Sequence, residues 1–152
     1  MLQLTKRTEY GLLALVHLAD REGAVASVRE ICERYPLPKR TVAEVLKDLQ
    51  HAGLVDSTRG SSGGYTLARA PAQVTLGDVV RALEGAPPLT TCESPIVLKG
   101  GGCEVQPMCP IKSPIQRVRE RLWQMLEHTT LRSLVSSGPH VSLGAPGAVE
   151  SN

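Results

Sequence analysis

Three of the four cysteines, Cys92, Cys103 and Cys109, fall within 18 residues in the spacing Cys-x10-Cys-x5-Cys. Thiolates are soft ligands that suit zinc and Fe–S clusters. Three are one short of a tetrahedral zinc site, and the paired CxxC spacing of zinc fingers is missing. Wide, irregular spacing suits a cluster larger than one ion, while spacing alone leaves a thiol switch or inert thiols open. Cys32 stands alone, inside an apolar-flanked helix, and reads as a small buried hydrophobe. The histidines are scattered: His17 and His51 read as helix residues, His128 as a partner of a helix C-terminus, and His140 as part of a tail.

A second chemistry is carried by positive charge. The net charge of +2 is too small to announce a nucleic-acid binder, but residues 34–69 hold six Lys or Arg against three Asp or Glu. Lys39, Arg40 and Thr41, with Glu44 one turn on, sit where a helix entering the major groove would offer base contacts. Lys47 is better placed for phosphate. Further on, Arg59 precedes the tight tip Gly60-Ser61-Ser62-Gly63-Gly64, which suits a minor groove, with hydroxyl and backbone N–H groups on phosphate. A solvated helix face and an ordinary hairpin turn are the plainer readings of the same residues.

The elements that must position these groups follow from periodicity. A first helix is expected over about Thr5–Ala19, with Leu12, Leu15, Val16 and Ala19 at helical spacing. Ser27 and Glu30 have capping-box spacing for a second, running to about Tyr35. Pro36-Leu37-Pro38 turns the chain into a third that ends at Gly53, with Val42, Val45, Leu46 and Leu49 on one face. Strand, Gly-rich turn and strand then span Leu54–Arg59 and Tyr65–Arg69. Thr75 and Asp78 cap a fourth helix to about Leu83. Three helices followed by a hairpin is the order of a winged helix-turn-helix, so the expected fold is mainly α with such a domain over 1–84.

Residues 85–112 lack any period and carry all three clustered cysteines. Ser113, with Gln116, is expected to open a long helix to His128. Its Ile115, Val118, Leu122, Met125 and Thr129 make a 3-4-3-4 seam suited to a two-fold partner. A short helix over Leu131–Val135 completes a dimerisation region over 113–135, and 136–152 reads as a loose tail.

Composition narrows the class. The apolar share is 41%, enough for a core, but Phe is absent and aromatics number four, so Leu, Val, Ile and Ala must fill it. The longest nearly apolar run, Gly11–Ala19, is far short of the ~20 residues that span a bilayer. Glu9, Asp20, Arg21 and Glu22 spoil a signal-peptide reading, so the expected compartment is cytoplasmic. No Ser/His/Asp set, paired acids or Walker loop supports an enzyme.

The combination Leu4-Thr5-Lys6-Arg7-Thr8-Glu9-Tyr10, Ala52-Gly53-Leu54-Val55, Arg59-Gly60 and Gly63-Gly64-Tyr65 resembles the IscR and NsrR family of bacterial transcription regulators, the Rrf-two family. The resemblance covers about residues 2–135. It implies a homodimer on an operator in double-stranded DNA, and an Fe–S cluster (2Fe–2S or 4Fe–4S) held by Cys92, Cys103 and Cys109. It also implies a fourth ligand from the first helix of the other subunit, at the place Glu9 occupies. Two features depart from the pattern. The first cysteine gap is longer than usual, and Lys112 stands where IscR-like members carry a histidine ligand. A DNA-binding disulfide switch without a cluster, or an Fe–S carrier that does not bind DNA, are the alternatives.

Overall fold

The computed structural model describes residues 3–21, 23–85 and 103–136. Cys92 and the tail beyond residue 136 therefore lie outside the described residues. Helix α1 (Lys6–Asp20) starts at Thr5, whose hydroxyl accepts the N–H of Thr8 at 3.3 Å. Helix α2 (Val28–Arg34) has the expected capping box: Ser27 Oγ accepts from the Glu30 N–H at 3.2 Å, and Glu30 accepts from the Ser27 N–H at 2.7 Å. The N–H and hydroxyl of Ser27 hold the Glu30 carboxyl below its ordinary range. Helix α3 (Lys39–His51) follows Pro38 and closes on Ala52, with Gly53 at φ +69° turning the chain out.

Strands β1 (Val55–Thr58) and β2 (Gly64–Leu67) pair antiparallel, Val55 opposite Leu67 and Thr58 opposite Gly64. They are shorter than the sequence expectation. The pairing also reaches back along the chain, where Ala26 and Tyr65 exchange both backbone hydrogen bonds at 3.0 and 2.8 Å. Gly64 makes that approach feasible, because a Cβ there would lie 2.4 Å from the carbonyl oxygen of Ala26.

A 3-10 turn (Pro71–Gln73) leads to α4 (Leu76–Glu84), opened by the expected Thr75–Asp78 capping box. A second 3-10 turn (Gln106–Met108) precedes α5 (Lys112–His128), and α6 (Leu131–Ser136) follows. The start of α5 corrects the sequence reading. Ile115 N–H bonds the Ile111 carbonyl at 3.0 Å, so the first turn closes from Ile111 and Ser113 falls inside the helix, making no cap with Gln116. Pro114 fits that turn because its missing N–H would have had no partner there.

One buried cluster unites these elements: Ala14, Leu15 and Leu18 of α1, Ile31 of α2, Val42, Val45, Leu46 and Leu49 of α3, Leu54, Val55, Val79 of α4, and Leu131. Each of these larger aliphatics contributes about 1.5–3 kcal/mol by leaving water, which is how a core without Phe suffices. Helix α1 crosses α3 and α4 at Gly11, where a Cβ would come within 2.7 Å of Leu83 and 3.2 Å of Val45. Among the described residues no helix is long and apolar enough to cross a membrane.

Candidate functional site

The α2–α3 corner presents α3 by its amphipathicity. Val42, Val45, Leu46 and Leu49 are fully buried, which turns Lys39, Arg40, Glu44 and Lys47 outward and leaves Thr41 half-buried. Arg40 is 93% exposed, and its Nε donates to Glu44 at 3.1 Å. Arg59, Gly60, Ser61 and Ser62 form the exposed hairpin tip, with Gly60 at φ +121°, a conformation that side chains disfavour. The two exposed surfaces are linked by Gln50 of α3, whose amide donates to Ser57 of β1 at 2.8 Å.

A contact network behind α3 was not legible from spacing. Arg7 of α1 meets Asp48 of α3 at 2.5 Å and Glu44 at 3.8 Å. In the same turn of α1, the N–H and hydroxyl of Thr5 each donate to Glu84 at 2.9 Å, and the fully buried Thr8 hydroxyl donates to the same carboxylate oxygen. Burial pushes the Glu84 carboxyl up, but these three hydrogen bonds outweigh it and hold the group below its ordinary value. Glu84 ends α4 and Gly85 follows at φ +75°. Thus one turn of α1 joins α3 to the point where the cysteine-bearing segment departs. The partners are 37 to 79 residues apart in sequence, so no local pattern marks them.

Cys103 and Cys109 are free, half-buried thiols on either side of the 3-10 turn Gln106–Met108. Glu9 lies on α1, 40% exposed, and its carboxylate pairs with Lys6 at 2.5 Å. Among the described residues, no three His, Cys, Asp or Glu side chains of one chain come together as a metal site. Cys32 is half-buried beside the core, and burial raises its thiol pKa, as expected of an unreactive cysteine.

Beside the thiols, and on along α5, the surface carries exposed apolar side chains. Val105, Met108, Ile111, Val118 and Met125 are the exposed large hydrophobics of the described residues. Ile111, Val118 and Met125 recur every seven residues, and half-buried Ile115 and Leu122 fall between them. No residue of α5 is fully buried. Its opposite side leans on α4: Glu127 backs onto Gly77 and accepts from Arg81 at 2.6 Å, and the Arg81 guanidinium lies 5.3 Å from the Trp123 ring centre.

Comparison with known proteins gives this arrangement a context. The Rrf2 family, described as iron-dependent transcriptional regulators, matches residues 4–137. CymR (YrzC), the global cysteine regulator of B. subtilis, is 31% identical with a TM-score of 0.70, over 90% of this chain and 98% of that one. T. potens IscR is 30% identical with a TM-score of 0.65, over 90% and 88%. A transcriptional regulator from Listeria innocua is 29% identical with a TM-score of 0.71, over 99% and 96%.

Proposed function

This chain belongs to the Rrf2 family of transcriptional regulators, and from that premise we propose that it is a homodimeric DNA-binding regulator whose clustered cysteines hold an Fe–S cluster. The observation that carries the cysteine part is the pair of free, half-buried thiols, Cys103 and Cys109, flanking one turn within an uncovered apolar surface. The donor set fits such a group: Cys92, Cys103 and Cys109 supply three soft thiolates, and Glu9 is accessible as a hard fourth ligand from the other subunit. When bound, an Fe–S cluster supplies a centre sensitive to oxidation, nitric oxide and iron supply.

The rest of the reading concerns what the side chains do. Ile111, Ile115, Val118, Leu122 and Met125 pack against the same helix of a second copy, an isologous contact that sets two α3 helices and two hairpin tips on one face. Arg40, Thr41 and Lys39 read base edges, Lys47 and the Ser61–Ser62 tip take phosphates, and Arg59 enters the minor groove. Half-sites then lie one helical turn or a multiple apart.

A second reading, a disulfide switch between two of the three clustered cysteines, is favoured by the free thiols of Cys103 and Cys109 on either side of one short turn. One experiment separates the two. Anaerobic purification followed by visible absorption, iron and sulfide assay should give a coloured protein with inorganic sulfide, lost in Cys103→Ser. A colourless protein with a reversible disulfide would overturn the cluster. Absence of salt-dependent, sequence-selective affinity for duplex DNA would overturn the DNA-binding part.

A further inference from the structure

Among the described residues, Nε2 of His17 on α1 is the only buried side-chain nitrogen or oxygen with no hydrogen-bond partner. The ring stands edge-on to Tyr35, with 6.2 Å between ring centres. The Arg34 guanidinium rests on the same tyrosine, 5.6 Å from its ring centre. Tyr35 closes α2 and packs against the core, its N–H bonded to the Ile31 carbonyl at 2.9 Å. Its own carbonyl accepts from the Leu37 N–H at 2.7 Å, and Pro38 then opens α3. Pro36 and Pro38 fix two of the three φ angles between the helices. The corner is therefore stiff, and a shift of Tyr35 passes to α3.

We propose that His17 is a proton-operated latch on the helix-turn-helix: neutral, it seats Tyr35; protonated, it leaves that contact, and α3 loses its fixed presentation to duplex DNA. The last step rests on the DNA-binding reading, and the first two do not. A charged ring finds no acceptor at Nε2, and burying an unpaired cation costs more than turning this half-buried side chain outward. The charged neighbours are Asp20 and Arg21 on α1 and Glu30 and Arg34 on α2, two of each sign. Of the acids, Glu30 is already engaged, accepting from the Ser27 N–H at 2.7 Å and from Arg21 at 3.1 Å. Asp20 is exposed and lies one turn along the helix, so it receives the imidazolium once the ring has swung to the surface. Arg34 opposes protonation in place, since a charged His17 would share the Tyr35 ring with another cation. Burial and Arg21 favour the neutral ring too, so the latch is shut at neutral pH and opens as pH falls below 6.5.

The test compares the full wild-type chain with His17→Gln and His17→Phe. Neither variant takes up a proton, and the second keeps a ring beside Tyr35. In wild type, NMR should show the His17 imidazole and the backbone amides of Tyr35, Leu37 and Lys39 titrating together, with one midpoint below pH 6.5. Those amide shifts should vanish in both variants. The DNA probe is a duplex selected from a random pool on the wild-type protein near neutrality, read by fluorescence anisotropy at constant salt. Between about pH 7.5 and about pH 5.5, wild type should lose at least about threefold more affinity than either variant. Comparison with the variants removes what His51 and His128 contribute. The latch is overturned by corner amides that ignore the imidazole midpoint, by a midpoint at or above pH 6.5, or by an equal loss of affinity in all three proteins. Should wild type show no sequence-selective duplex affinity near neutrality, the regulatory reading fails instead, and the shared midpoint at the corner decides the latch by itself.

Discussion

Arg7 and Asp48 stand 41 residues apart in sequence, yet their side chains meet at 2.5 Å, fastening the first turn of α1 to the outer half of α3. The pair is about two-fifths exposed on each side, so solvent screens it and its share of stability is below about 1 kcal/mol. Its use is orientation. Arg7→Ala should barely move the melting temperature while weakening operator affinity, and Asp48→Ala should weaken it similarly. The double variant should lose much less than the sum, measured by fluorescence anisotropy in a double-mutant cycle. Additive losses would mean that the pair does not act as a unit.

Glu84→Ala leaves the buried Thr8 hydroxyl without its carboxylate acceptor, and should cost about 1–3 kcal/mol in chemical denaturation. The pH sign follows from the lowered pKa. A carboxyl held below its ordinary 4.5 contributes stability that is present above that value and lost as pH falls through the lowered folded value. The variant's stability should therefore vary less than the wild type's across that acid range.

His17 gives a second pH response, nearer neutrality. Burial, with Arg21 adding to it, lowers its pKa below 6.5, and its Nε2 has no hydrogen-bond partner among the described residues. The ring stands edge-on to Tyr35 at 6.2 Å between centres. Because the folded state favours the neutral ring, stability is full above pH 6.5 and declines as pH falls from there through the lowered folded value. Thermal melts at stepped pH should show this decline, and His17→Gln should flatten that part of the profile.

Val118→Glu places charge on the apolar stripe of α5 without touching the core. Light scattering should report a monomer in place of a dimer, with circular dichroism unchanged and a stability change within about 0.5 kcal/mol per chain beyond the loss of association. A dimer that persists would place the two-fold contact elsewhere.

Arg40→Ala should relax sequence choice at one base pair, reducing discrimination by about 1–3 kcal/mol, while Lys47→Ala should weaken all sequences alike and lower the salt slope by about one. Competition binding over a panel of substituted duplexes at several salt concentrations separates the two outcomes.

How far the sequence discloses this molecule depends on whether the signal is local. Capping boxes at Ser27 and Thr75, the exit at Gly53, and the period of Val42, Val45, Leu46 and Leu49 all concern residues within one or two turns, and they place α2, α3 and α4. The capping reading of Ser113 failed for a local reason as well, since Ile111 offers its carbonyl two residues earlier. The period of Val118 and Met125 on α5 is visible in the sequence because an exposed apolar face keeps its spacing. Arg7 with Asp48, Thr8 with Glu84, and the Ala26–Tyr65 pairing are products of tertiary packing. Nothing in the spacing of Arg7 distinguishes it from any exposed arginine. The exposed positions of α3 and the hairpin tip were legible as basic groups on a turn and a helix face. The contact of His17 with Tyr35 was not, because it needs α1 and α2 folded together.

The attachment of α5 has a mechanical consequence. Its fixings to the body include Trp123, Glu127 and the backbone bond from Leu76 to Thr129, near one end of a rod whose other end starts at Lys112. Fifteen residues at 1.5 Å each make a lever of about 22 Å. A rocking of about 5° at Gly77 would sweep the cysteine end through about 2 Å. Filling the notch at Gly77 with a larger side chain would jam that pivot.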